Sequence, residues 1–240
     1  GAIINNTIAS NSYSIRFNFE SAGNIMYALS KATNIRKNND GEYAILGIPY
    51  AQYVKGEFDI SKNKRIDHRN SFAFHIGMGI AVPYGNAKTI PFEKQYFSGG
   101  ANSVRGWTVR DLGPGSFVRD ENTNLLDQSG DIKLDASIEY RSKLFWKFQG
   151  AIFVDAGNIW TIRDYDNQPG GVFKFDKFYK QIAVAYGLGL RLDLDFFILR
   201  FDGGMKALNP VYAKGKDRYQ IIHPKFSRDF AFHFEVGYPF

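Results

Sequence analysis

The sequence predicts an all-β fold, an antiparallel transmembrane β-barrel, on three observations. It contains long period-two segments, its connections alternate between short and long, and its apolar faces are large with aromatics near the strand ends. Aromatic residues make up 16% of the 240 residues while mean hydropathy is only -0.30, so apolar and polar residues are interleaved rather than segregated. Interleaving favours strands.

Taken in order, the segments are a partial strand near residues 2 to 8, then strands near 13 to 20, 50 to 62, 70 to 84, 132 to 141, 146 to 160, 182 to 193, 196 to 206 and 228 to 240. None has the spacing of a helix. In RDFAFHFEVGYPF, Phe230, Phe232, Phe234, Val236, Tyr238 and Phe240 share one face, and Ala231, His233, Glu235, Gly237 and Pro239 the other. Ile132, Leu134, Ala136, Ile138 and Tyr140 oppose Lys133, Asp135, Ser137, Glu139 and Arg141 in the same way. From 182 to 193, Ile182, Val184, Tyr186, Leu188, Leu190 and Leu192 oppose Ala183, Ala185, Gly187, Gly189, Arg191 and Asp193.

A soluble sandwich also alternates, because one face meets a core and the other meets water. Length separates the two folds: strands of roughly 10 to 15 residues suit a tilted bilayer crossing and exceed the usual five or six. Tyr140, Trp146, Trp160 and Tyr238 stand near strand ends, where interfacial girdles are expected. The connections near 63 to 69, 143 to 145 and 194 to 195 are short, and those near 24 to 45, 85 to 130, 161 to 178 and 208 to 227 are long. Short periplasmic turns and long external loops are the barrel pattern.

No run approaches the roughly 18 apolar residues of a transmembrane helix, and GAIINNTIASN lacks the layout of a signal peptide. The chain opens in what reads as half a strand and is expected to be part of a longer protein. Zero cysteines exclude disulfides, thiolate metal sites and cysteine nucleophiles. A net charge of +6 and a pI near 9.3 call for acidic neighbours. Nucleic acid is not expected, because the basic residues are spread over loops and turns, as in KNKRIDHR, with no basic-aromatic surface; a lipid-facing role fits better.

The 85 to 130 connection, which contains QYFSGGANSVRGWTVRDLGPG, is too long for an unstructured link inside a compact domain. An eight-stranded barrel has room only for its own side chains. The inward positions Ala73, Gly77, Gly79, Ala183, Gly187, Gly189 and Gly204 leave space, which the long loop is expected to fill. The chain therefore reads as about eight to nine C-terminal strands of a wider barrel with a lumen-folded extracellular loop.

Val104, Arg105, Gly106 and Trp107, in FSGGANSVRGW with the loop glycines Gly99 and Gly100, resemble the VRG-aromatic motif of the BamA/TamA outer-membrane protein assembly family. Glu139 in DASIEYRSKL, Asp155 in AIFVDAGNIW and the terminal FEVGYPF match the family's inward glutamate, inward aspartate and last strand. The resemblance covers nearly the whole chain. It implies residues 1 to 240 as the C-terminal portion of a sixteen-stranded barrel in the outer membrane of a Gram-negative bacterium. Further N-terminal strands and periplasmic POTRA repeats would lie outside this chain. It also implies an insertase for outer-membrane proteins, with unfolded clients, outer-membrane lipids and accessory lipoproteins as partners. A polypeptide-secreting channel of the same family and a passive porin-like channel are the alternatives. A weak seam at the terminal strand, around Gly237, Tyr238 and Phe240, would serve as a lateral gate.

The residues support a site of their own. A guanidinium in a confined lumen needs carboxylate partners, and the inward Asp155 and Glu139 are available to Arg105. Gly106 is expected to allow close backbone approach or positive φ, and Trp107 to pack the loop on the wall. A turn centred near residue 144 or 145 would set Asp155 opposite residues 133 to 135, too far from Glu139 for an acid-base pair. The expectation is a protein that is not an enzyme and has no cofactor. His68, His75, His223 and His233 lack ligand spacing, so no metal is expected either.

Overall fold

The computed structural model describes residues 2–6, 11–39, 41–119, 125–212 and 214–237. Its elements are β1 (Ala2–Asn6), β2 (Asn11–Ala22), α1 (Asn24–Ala32), the small pair β3 (Ala44–Ile45) and β4 (Ile48–Pro49), β5 (Tyr53–Arg65) and β6 (Asn70–Pro83). After the long loop come β7 (Ile132–Lys143), β8 (Phe148–Trp160), β9 (Ala183–Asp193), β10 (Ile198–Leu208), α2 (Phe226–Asp229) and β11 (Phe230–Val236). Nine strands form one sheet in the order β1-β2-β5-β6-β7-β8-β9-β10-β11, each antiparallel to the next.

Every neighbour in this order is the next long strand in the chain. Local hairpins alone therefore build the sheet. The links 66–69, 144–147 and 194–197 lie at one end, and 23–52, 84–131, 161–182 and 209–229 at the other. Helix α1 occupies part of the long connection expected near 24 to 45; its Met26 and Leu29 are exposed, while Ser30 is buried and receives a hydrogen bond from the Tyr50 hydroxyl.

The two faces differ sharply. Phe74, Ile76, Met78, Ile80, Ile138, Ile152, Val154, Leu188, Leu190, Phe232, Phe234 and Val236 all point outward and stay exposed. A contiguous apolar face of this size suits hydrocarbon rather than water. Near the short turns it is bordered by aromatics: Phe72 lies 5.3 Å from Tyr140, whose hydroxyl donates to Asn70. The opposite face holds charges, glycines and alanines beneath the 84–131 loop.

Two of the expected girdle residues sit elsewhere. Trp146 belongs to the β7–β8 turn, with φ 50 and 75% exposure, rather than to a strand. Trp160 is fully buried: Phe173 and Phe178 pack edge-on against it and its indole Nε1 donates to Gln181. The 161–182 connection folds back over that strand end and removes Trp160 from the boundary. The terminal alternation runs to Val236, where Gly237 at φ 112 ends the strand; Tyr238 and Phe240 lie outside the described residues.

Candidate functional site

The loop reaches the sheet through a short hairpin of its own. Ser98 and Leu112 form an isolated antiparallel bridge, and the Gly100 amide donates to the Trp107 carbonyl at 2.8 Å. Gly99 and Gly100 hold φ values of 91 and 96, where a side chain is strained, and a Cβ on Gly99 would run into the Thr108 carbonyl. These glycines let the chain turn tightly enough to present Val104, Arg105, Gly106 and Trp107 to the wall.

Each motif residue then has a distinct contact. Val104 and Trp107 are buried with Leu112, Ala183 and Ala185 in one apolar cluster, and the Lys206 ammonium lies 5.3 Å from the Trp107 ring centroid. Gly106 is present for close approach and not for positive φ: an added Cβ would sit 2.8 Å from the Ala185 Cβ and 3.3 Å from the Lys206 amide nitrogen. Gly204 on β10 is its counterpart, since a Cβ there would collide with the Arg105 carbonyl.

Arg105 is 1% exposed and every guanidinium nitrogen is engaged. Nε and Nη2 donate to the two oxygens of Asp155, each at 2.8 Å, in a bidentate fork. Nη1 donates to Glu139 at 2.6 Å and to Asp202 at 3.3 Å, and Nη2 also reaches the Ser137 hydroxyl at 3.3 Å. The backbone amide of Arg105 adds a bond to Asp155 at 3.1 Å, and Cζ lies over the Phe153 ring, 3.5 Å from its centroid. This geometry fixes both the position and the orientation of the loop tip.

The carboxylates are shared with further arginines. Arg191 donates to Glu139 at 2.9 Å and to Asp202 at 2.5 Å, Arg141 donates to Glu139 at 2.7 Å, and Arg200 Nε stands 3.0 Å from Asp202. Ser137 closes the set with a 2.5 Å bond to Asp155. Four arginines thus converge on Glu139, Asp155 and Asp202, all three carboxylates at 1% exposure or less. Charges this buried hold only because each has partners on several sides.

The expected register of β7 and β8 needs correction. Asp155 pairs with Ser137, not with residues 133 to 135, because the turn spans 144–147 and is centred later than the sequence suggests. Glu139 faces Phe153, so Glu139 and Asp155 stand one step apart on the same face and meet at a single guanidinium. Asp202 and Ser137 as partners of Arg105, and Arg141, Arg191 and Arg200 as arginines sharing its carboxylates, lie outside the sequence expectation. Their common sign was available: each falls on the inward parity of its strand, where a charge needs a partner.

The Omp85 superfamily domain matches residues 5–240. Over 99 residues, 38% of this chain, the sequence is 35% identical to the outer membrane protein assembly factor BamA of Neisseria meningitidis serogroup B, of which that stretch is 12%. The crystal structure of BamA from Haemophilus ducreyi lacking POTRA domains 1-3 superposes with a TM-score of 0.54 and 16% identity, covering 95% of this chain and 51% of that one. CdiB from Acinetobacter baumannii matches at a TM-score of 0.38 and 13% identity, covering 94% of this chain and 38% of that one. The chain therefore spans about half the length of the BamA structure it matches. The bare apolar face is the membrane face of an outer-membrane β-barrel, the loop-covered face is its lumen, and the chain belongs to the Omp85 superfamily.

Proposed function

We propose that this chain is the C-terminal part of an insertase that assembles β-barrel proteins into the outer membrane of a Gram-negative bacterium. The observation that carries this reading is the Arg105 seal, together with the terminal strand beside it. The loop tip is braced to β7, β8 and β10 through Glu139, Asp155 and Asp202, so the loop is held against the lumen wall. Strand β11 spans Phe230–Val236 and pairs with β10 along one side. In this reading the other side of the terminal strand is the seam, where it templates an incoming strand by β-augmentation and then releases it. Unfolded outer-membrane clients, lipids of that membrane and accessory lipoproteins are the partners of this reading.

The role is non-enzymatic and needs no cofactor. Glu139 and Asp155 are engaged by guanidiniums, an amide and a hydroxyl, which leaves them poorly placed to exchange protons with a substrate. The polypeptide-secreting channel shares the fold and would require the loop to clear the lumen.

The complete protein reconstituted in liposomes tests the reading. Added unfolded barrel protein is expected to reach its protease-resistant form several-fold faster than with empty liposomes, and Arg105→Ala to abolish the gain. Passage of a polypeptide into the liposome without client folding would instead establish the secretion channel. Ion conductance alone, unchanged by the variant, would establish a passive pore.

A further inference from the structure

The seal and the edge strand are joined through one short piece of chain. Two polar side chains of β11 face the lumen, His233 and Glu235, and both are used on residues 101–105. His233 Nε2 donates to the Arg105 carbonyl at 2.9 Å. Glu235 accepts from the Asn102 amide at 2.6 Å and from Arg200 at 3.3 Å. The same Arg200 nitrogen donates to the Ala101 carbonyl at 2.6 Å and to Asn102 Oδ1 at 2.9 Å, so β10, β11 and the loop meet at one guanidinium. Arg105 thus faces two ways: its side chain holds the β7, β8 and β10 carboxylates, and its carbonyl holds the last strand. The absence of a Cβ on Gly204 is what lets that carbonyl lie against β10 within reach of His233.

We propose that residues 101–105 are a latch on the lumen face of the terminal strand, with His233 and Glu235 as its positioning residues. This inference rests on the seam reading above and deepens it. On its outer face β11 offers only apolar contacts, such as Phe234 with Phe201 at 5.2 Å, and along its length it pairs with β10 from Phe230 to Val236. Moving β11 away from the loop therefore requires the polar contacts at Arg105 and Asn102 to part, whereas the guanidinium seal on β7 and β8 can stay closed. The latch separates two motions, release of the edge strand and withdrawal of the loop, that a single rigid plug would make one.

The described chain has no cysteine, which permits a selective cross-link. Asn102→Cys and Glu235→Cys are combined in the complete protein, with any other thiols replaced by serine, and bridged by a short bifunctional methanethiosulfonate. Liposome assays of client folding should fall to the empty-liposome rate on bridging and return with dithiothreitol to the rate of the untreated double variant, while the reagent leaves each single-cysteine variant at the rate it had before treatment. A bridged protein that folds clients at the unbridged rate overturns the latch.

Hydrogen exchange supplies a readout that does not depend on clients. Combined His233→Ala and Glu235→Ala, or Glu235→Gln alone should the double variant not fold, is expected to speed amide exchange several-fold along β11 and leave β8 unchanged. Unchanged β11 exchange overturns the latch. If the parent protein folds no clients at all, the insertase reading falls and β11 exchange alone decides the latch.

Discussion

Two stretches of the same inner wall carry the same kinds of residues and behave differently. Over β7 to β10, Glu139, Asp155 and Asp202 are at most 1% exposed and bonded to arginines. Over β2, β5 and β6 the pairs are looser: Lys55 lies 3.1 Å from Glu57 and His75 3.3 Å from Asp59, and the two carboxylate side chains are 33% and 36% exposed. Strand parity puts charge on both stretches, but the loop tip covers only one. Desolvation by the loop, rather than the presence of charge, makes the difference between a seal and an ordinary wet wall.

Removing the keystone should break the contrast most strongly. Arg105→Ala leaves Asp155, Glu139 and Asp202 short of a shared partner, and breaking a buried pair in this way costs about 3–5 kcal/mol. Denaturant unfolding of the refolded complete protein is expected to show a loss of that size. A loss under about 1 kcal/mol, the range of exposed pairs, would mean that the seal is no tighter than the rest of the wall.

Backbone contact offers a second lever. Gly204→Val should push the loop off the wall, because its side chain meets the Arg105 carbonyl and the Gly106 amide, which cannot turn aside. Trypsin is then expected to cut after Arg105 or Arg110 in the variant and to leave the parent intact there. The nearest atoms to a Cβ at Gly79 on β6 belong to the Tyr96 ring and not to the Arg105 loop tip, so Gly79→Ala is expected to open no cleavage after Arg105 or Arg110.

The smallest effects belong to the looser stretch. Lys55→Ala should cost about 0–1 kcal/mol, since its Glu57 partner is partly solvated, with some loss from its position 4.3 Å over the Tyr96 ring. Salt sharpens the comparison. At about 1 M the Debye length falls to about 3 Å, so the Lys55→Ala penalty should shrink while the Arg105→Ala penalty holds. Equal sensitivity of the two to salt would erase the distinction drawn between them.

The sheet was legible because a barrel strand writes its two environments into alternate residues, and the short and long links appear as interruptions of that pattern. Boundaries moved by a few residues, as in 50 to 62 against Tyr53–Arg65. Helix α1 escaped because a nine-residue helix at the base of a loop buries little, and its apolar residues Ile25, Met26 and Leu29 remain exposed. Trp160 was misplaced for the opposite reason: proximity to a strand end says nothing about whether a loop returns to cover it.

At the site, strand alternation is enough to say which residues face inward and that Arg105, flanked by Val104 and Gly106, needs carboxylates. Tertiary structure alone decided which ones. Register depends on where a turn is centred, and moving the centre by one residue moves the facing partner by two, enough to separate Asp155 from Glu139 or to bring them to one guanidinium. Asp202 and His233 come from strands that follow the motif by about a hundred residues or more, and no local pattern records that distance. They reach Arg105 because β7 to β11 form one continuous wall and the loop folds back across it, so the energy of burying one arginine is met by side chains that only the folded sheet and loop bring together.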